Sequence, residues 1–320
     1  MSVVQAVEAM VKHVKVASVI QGAAERWQSL GYGPGRRQSA YEAGALPALT
    51  AGMRAHPTHV GVQEKACLAI ANICSGVDEL GLERKRAAFD AGAIGAISEA
   101  MAAMPQEAAV LSNGAAALGN ICYAGDEHGL ARKQTAFESG AIALCVKAME
   151  AFPEDEAVCE NGAFAIGNLC RAPGKVGNSS TGDFSAPELQ PIETQLKNKA
   201  EGQARKQAAA DAGALAAIVG AMKRHDGVEG IQSWGARALS IVTYESAKLR
   251  EEAKKAGAKM SWLMGLSDDM EAAQKAREIP MSKTGRPSGG MGSSFQQSTG
   301  RPSMATGRPS VATGRPLRGY

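Results

Sequence analysis

Along the first 279 positions apolar residues recur every three or four places, and that pattern is itself repeated. In one period, Ile94, Ile97 and Met101 fall on a single helical face. Gly92 separates a short helical stretch at about 83–91 from a second one reaching Met104, and after Pro105 a third runs over about 108–123. Glycine permits a sharp bend between helices and proline closes one, so the punctuation agrees with the periodicity. No run alternates with the period of a strand, and the predicted elements are all helices.

The unit repeats along the chain. Gly44, Gly92 and Gly140 stand 48 apart in EAGAL, DAGAI and ESGAI; Gly213 follows 73 later and Gly257 another 44. Nine places after the glycine come Met53, Met101, Met149 and Met222, and eighteen after it Val62, Val110, Val158 and Ile231, which are predicted core positions. Twenty-eight after it come Asn72, Asn120 and Asn168, with Ile241 in the fourth copy. Three helices of this length cannot bury their apolar faces alone, so neighbouring units must stack.

Val3, Val4, Val7, Met10, Val11 and Val14 form a stripe that predicts a degenerate first unit over about 1–43, with 21–30 in the place of a third helix. Units near 44–91, 92–139, 140–212 and 213–256 follow, then a capping segment at 257–279 that contains Trp262, Leu263 and Leu266 among many charges. The interval of 73 implies a 25-residue insertion, assigned to a Gly-, Ser-, Pro- and Asn-rich loop at 173–202. GVDELGLERKR and AGDEHGLARKQ are read as edge loops, with Asp78, Glu79, Asp126 and Glu127, and then Arg84 and Arg132, capping the helix that follows.

Phrases such as VQEKACLAIANIC and EAGALPALTAGM resemble the armadillo-repeat family over residues 1–279. The resemblance implies an all-α fold: a right-handed superhelical solenoid of about five three-helix repeats. A period of 48 and the insertion are departures from the family's usual pattern. Members that bind basic localisation signals have Trp four places before the groove Asn; here Leu68, Ala116 and Phe164 stand there, so that function is not implied.

Charge separates the chain into two parts. Residues 280–320 hold eight Gly and five Pro, six Lys or Arg and no acid, a composition that predicts a disordered tail of +6. Since the whole chain is +3, the body is −3, which argues against a globally basic nucleic-acid-binding domain. No apolar run reaches the length of a membrane span, and a soluble cytoplasmic protein is expected.

Candidate chemistry is sparse. Cys74, Cys122 and Cys170 share one repeat phase, as packed small hydrophobes would, and Cys67, Cys145 and Cys159 lack metal-binding spacing, in keeping with a reducing compartment. His56 and His59 could share a metal only with a third ligand that the sequence does not supply nearby. GYGPG at 31–35 and RAPGKVG at 171–177 complete neither phosphate-binding glycine motif. No nucleophile or acid–base pair stands in a familiar context, so neither an enzyme nor a cofactor is expected.

In the resembled family third helices line the concave face. Asn72, Asn120 and Asn168 would then form a ladder of amides able to pair with an extended peptide backbone, or equally to tie one repeat to the next. Seven places earlier stand Lys65, Asn113, Asn161 and Trp234, and three places later Ser75, Tyr123, Arg171 and Tyr244. Polar and aromatic groups on one face fit a protein or peptide ligand.

The tail repeats TGRPS at 284, 299 and 306 and TGRPL at 313, presenting Arg286, Arg301, Arg308 and Arg315 as multivalent contacts for an acidic partner. The Gly-Arg-Pro core lacks the flanking basic residues of a minor-groove hook, which argues against DNA. An acidic polymer such as a microtubule is the alternative, which would make the protein a cytoskeletal or ciliary component. A nuclear location and self-association both stay open. Ser288, Ser303 and Ser310 are sites where phosphorylation would cancel the tail's charge. The expected function is a non-catalytic protein-interaction scaffold with the tail as a secondary contact.

Overall fold

The computed structural model describes residues 2–29, 33–123, 127–171 and 192–266, and among these every regular element is a helix. The chain opens with α1 (Val3–Lys12) and α2 (Ala17–Ser29). Four triads follow: α3 (Pro34–Glu42), α4 (Ala45–Ala55) and α5 (Val60–Ile73); α6 (Glu79–Asp90), α7 (Ala93–Ala103) and α8 (Ala108–Ile121); α9 (Glu127–Glu138), α10 (Ala141–Ala151) and α11 (Glu156–Cys170); α12 (Ile192–Asp211), α13 (Ala214–Arg224) and α14 (Glu229–Thr243). α15 (Ala247–Lys255) and α16 (Met260–Leu263) close the described part.

Each triad bends at its glycine. Gly44, Gly92, Gly140 and Gly213 have φ of 80, 73, 76 and 90°, the left-handed region where a side chain is strained, and each begins the second helix directly. Second helices end just before Pro57, Pro105 and Pro153, as the sequence predicts. Gln63 and Gln232 then turn back from their third helices, donating to the Met53 and His56 carbonyls and to those of Met222 and His225.

The helices form two layers. Third helices lie side by side in the order α2, α5, α8, α11, α14, and second helices α4, α7, α10 and α13 form the adjoining layer, with α1 against α4. The positions nine and eighteen places after each of the four bend glycines are buried throughout, and alanines, valines, isoleucines and leucines supply most of the rest of the core. Glycines let the layers approach closely: a Cβ on Gly114, Gly162 or Gly235 would meet Met101, Met149 or Met222 at 2.6–2.8 Å.

Three expectations need correction. Val4 and Val11 are 54% and 66% exposed, because α1 buries only Ala6, Val7 and Met10. The two segments read as edge loops are largely helix: Asp78 accepts from the Gly81 amide at 3.1 Å and starts α6 at Glu79. The inserted residues are not all loop, since 192–202 belong to α12, which has 20 residues against 12 in α6 and α9. That segment, IETQLKNKAEG, is mostly residues that favour helix.

Candidate functional site

The foot of each third helix concentrates the polar residues. A helix leaves its last carbonyls without intrahelical donors, and those of α5 can be followed one by one. Cys74 N–H serves the Ile70 carbonyl at 3.0 Å, while Ser75 N–H tightens onto Asn72 at 3.3 Å and so leaves Ala71 without its usual donor. Asn120, from the next third helix, supplies it: its Nδ2 donates to the Ala71 carbonyl at 2.8 Å. The same substitution recurs one unit on, where Tyr123 N–H turns to Asn120 and Asn168 Nδ2 donates to the Gly119 carbonyl at 3.2 Å.

Asn120 and Asn168 are 0% and 2% exposed, and Asn72 is buried too. Of the two roles open to the ladder, joining repeat to repeat is the one that Asn120 and Asn168 perform. Where Ile241 replaces the asparagine, α11 runs on to Cys170 and Arg171 leaves in an extended conformation (φ −68°, ψ 118°). α5 and α8 instead end with Cys74 and Cys122 near ψ 0°.

At the feet of α5, α8 and α11 a carbonyl near the helix end is held by an arginine from the following first helix. Arg84, Arg132 and Arg205 donate through Nε to Ile73, Ile121 and Leu169 at 2.7, 2.8 and 2.9 Å. Arg84 also donates to Ser75 O at 3.1 Å and Gln38 Oε1 at 3.0 Å. A cation at a helix C-terminus is favoured by the dipole as well as by the bonds. Arg84 and Arg132 thus cap the preceding helix, not the following one; the reversal arises because the long side chain reaches back across the turn. Asp78 does cap the following helix, while Asp126 lies outside the described residues.

The phase-locked cysteines complete this clasp. Cys74, Cys122 and Cys170 point their thiols at the carbonyls of Arg84, Arg132 and Arg205 at 3.8, 3.6 and 3.6 Å. Burial pushes these thiols up to about 12, 11 and 12, so they stay protonated and serve as weak donors, not nucleophiles. Lysines adjoin the arginines. Lys85 donates to the Gly76 carbonyl and lies 5.6 Å from the Tyr123 ring centroid; Lys206 donates to the Tyr244 carbonyl at 3.2 Å and lies 5.1 Å from that ring. Burial lowers Lys85 to about 8 and lowers Lys206 as well.

The remaining sequence-predicted groups are spread over the third-helix layer. Lys65 pairs with Glu64 at 2.8 Å; Asn113 Nδ2 reaches the Glu64 carbonyl at 3.4 Å, and Asn161 Nδ2 the Ser112 hydroxyl at 2.9 Å. Ser75 is buried and its hydroxyl donates to Asn72. Tyr123 and Trp234 are nearly buried, Arg171 is half-buried and Tyr244 is 42% exposed. Arg286, Arg301, Arg308 and Arg315 lie outside the described residues.

Two residues that sequence reasoning missed join these groups together. Phe164 meets Trp234 edge-on, centroids 4.7 Å apart. Arg237 lies 5.6 Å from the Trp234 ring and beside the Tyr123 hydroxyl, two third helices away. Burial and the nearby charge of Arg171 hold its guanidinium below the usual range, the tyrosine opposing. Arg237 occupies the fourth-unit position of Leu68, Ala116 and Phe164, so its alignment with Phe164 was the available signal. Tyr123, Phe164, Arg171, Trp234 and Arg237 thereby form one polar and aromatic strip over α8, α11 and α14.

Among the described residues no cluster of three or more His, Cys, Asp or Glu could hold a metal. His59 instead caps α5 through Nδ1 to Val62 N–H at 3.2 Å, and His56 Nε2 lies 2.8 Å from the Val14 carbonyl. Among the described residues no helix is long and apolar enough to cross a membrane.

No protein-family model matches the chain, and no curated protein matches it. Its fold is similar to the crystal structure of an engineered protein, with 24% identity and a TM-score of 0.60 over 87% of this chain and 96% of that one. At that identity the likeness concerns the fold alone.

Proposed function

We propose that the chain is an armadillo-type solenoid of about five repeats that acts as a non-catalytic protein-interaction scaffold, holding an extended partner segment against its third helices. The observation that carries this reading is the strip in which Tyr123, Arg171, Trp234 and Arg237 gather from three successive third helices. A strip that crosses units suits an elongated ligand, and aromatic and arginine side chains are what protein interfaces concentrate. The asparagine ladder is the internal frame that sets its spacing, and the TGRPS tail is a secondary contact for an acidic surface. Six buried thiols suit a reducing, intracellular setting.

The test is capture from native extract with three baits: the full chain, the chain lacking 280–320, and an Arg171→Gln, Arg237→Gln variant whose helicity is verified by circular dichroism. The reading expects a partner retained by the tail-less chain and lost by the strip variant. Partners lost only on tail deletion, tubulin among them, would transfer the function to the tail.

A further inference from the structure

Along the third-helix layer two asparagine positions tie each helix to the one before it. Between α5 and α8, Asn113 Nδ2 donates to Glu64 O at 3.4 Å and Asn120 Nδ2 to Ala71 O at 2.8 Å. Between α8 and α11, Asn161 Nδ2 donates to Ser112 Oγ at 2.9 Å and Asn168 Nδ2 to Gly119 O at 3.2 Å. In α14 the same positions are Trp234 and Ile241. Ile241 has no donor, and Trp234 packs edge-on against Phe164 of α11, centroids 4.7 Å apart. The middle of the joint between α11 and α14 is thus held by apolar packing, which is strong but not directional, where the other two joints have amide bonds that fix an angle.

Further observations set this joint apart. Phe164 is keyed over Gly119, where a Cβ would meet its ring at 2.5 Å, but a Cβ on the equivalent Gly167 would lie 3.4 Å from Ala238, an ordinary contact. Arg84 Nη2 donates to Ser75 O at 3.1 Å, whereas Arg171 leaves α11 in an extended conformation and Arg205 Nη2 is buried with no hydrogen-bond partner. Five residues connect α5 to α6 (74–78) and α8 to α9 (122–126), against 21 between α11 and α12 (171–191). The contacts of Arg205 with Leu169 O and His225 with Pro153 O, each 2.9 Å, lie at the foot and the head of the joint. The Arg224–Glu154 pair at 2.7 Å is solvent-exposed and screened. Lys206 with the Tyr244 carbonyl and Lys199 with Glu245, each at 3.2 Å, fasten α12 to the foot of α14, so the last triad moves as one piece.

We propose that the joint between α11 and α14 is a shear hinge, on which the α12–α14 body changes its angle to the α3–α11 body as the two third helices slide. Asparagine amides hold the angle within the first three triads, and their replacement frees it at the fourth. Tyr123 at the foot of α8 and Trp234 and Arg237 on α14 lie on opposite sides of the hinge, so its angle sets the spacing of the strip. The hinge belongs to the free chain and stands or falls separately from the protein-binding reading.

The experiment is double electron–electron resonance on the full chain, with nitroxide pairs placed seven residues after the bend glycines: Ala51→Cys with Lys147→Cys, and Glu99→Cys with Gly220→Cys. Ala51, Glu99 and Lys147 are exposed, a side chain at Gly220 would meet nothing within 4 Å, and the native thiols are buried. Each pair spans about 20 Å, and both include the joint between α8 and α11, so their difference compares the first joint with the last. Circular dichroism and a melting curve verify each fold. The 99–220 distance distribution is expected to be about twice as broad as the 51–147 distribution. Asn120→Ala should broaden 51–147 alone, and Asn168→Ala, at the shared joint, should broaden both. Equal widths, or a broader 51–147 distribution, overturn the hinge; an unchanged 51–147 width in both folded asparagine variants overturns the amides as its cause.

Discussion

Changing Asn120 to Ala separates a ladder that holds the repeats from one that holds a ligand. The amide of Asn120 is fully buried and donates at 2.8 Å to Ala71 O, a carbonyl whose intrahelical donor has turned to Asn72. Removing it strands a buried acceptor, which costs about 1–3 kcal/mol if no water enters, so about 2 kcal/mol is expected. The loss falls on the joint between α5 and α8, and in a stacked array it should also reduce the cooperativity with which the units unfold. Asn113→Ala is the internal control: its bond to Glu64 O is 3.4 Å long and the acceptor lies mid-helix, where it keeps its own donor, so the cost is under about 1 kcal/mol. Urea denaturation followed by far-UV circular dichroism, with hydrogen exchange to localise the change, gives both numbers. Asn120→Ala within about 0.5 kcal/mol of wild type would refute the capping role.

Other outcomes follow from the same geometry. Arg84→Met, which strands the Ile73 and Ser75 carbonyls, should lower stability by about 3 kcal/mol, and Arg84→Lys should recover little because one ammonium cannot replace the fork; urea titration checks both. Gly92→Ala, at φ 73°, should cost about 1 kcal/mol or more by the same assay. Thiols whose folded pKa is raised hold protons that the unfolded chain releases, so stability should fall as pH rises from about 9 toward 11–12; Lys85, lowered to about 8, and Lys206, also lowered, act in the opposite sense but are two lysines against six thiols. Urea midpoints measured between pH 8 and 10 should decline, less steeply in Cys122→Ala. A thiol reagent should label the cysteines only after denaturant is added.

The helices were legible because two strong signals coincide: a Gly at the bend and apolar positions fixed to its phase. Gly92 and Pro105 mark the boundaries of α7 to within a residue or two. The start of α6 was less legible, since Asp78 caps a first turn, Glu79-Leu80-Gly81-Leu82, whose glycine and two leucines two places apart carry no helical period. At the site, the sequence located the asparagines but could not say which way their amides turn. That depends on a one-residue tightening of the preceding helix, which only the backbone reveals. Arg84 and Arg132 were assigned to the wrong helix for a similar reason: a guanidinium reaches several residues back as easily as forward. Arg237 escaped notice because its partner, Tyr123, is two third helices away.

The most direct test of the central claim is hydroxyl-radical footprinting of the full chain with and without a captured partner. Tyr244, 42% exposed at the foot of α14, is the sensitive reporter. The account predicts that its oxidation falls when the partner binds, while Val4 and Val11 on α1 are unchanged. Unchanged oxidation at Tyr244, with protection confined to α1 or to 280–320, would contradict it.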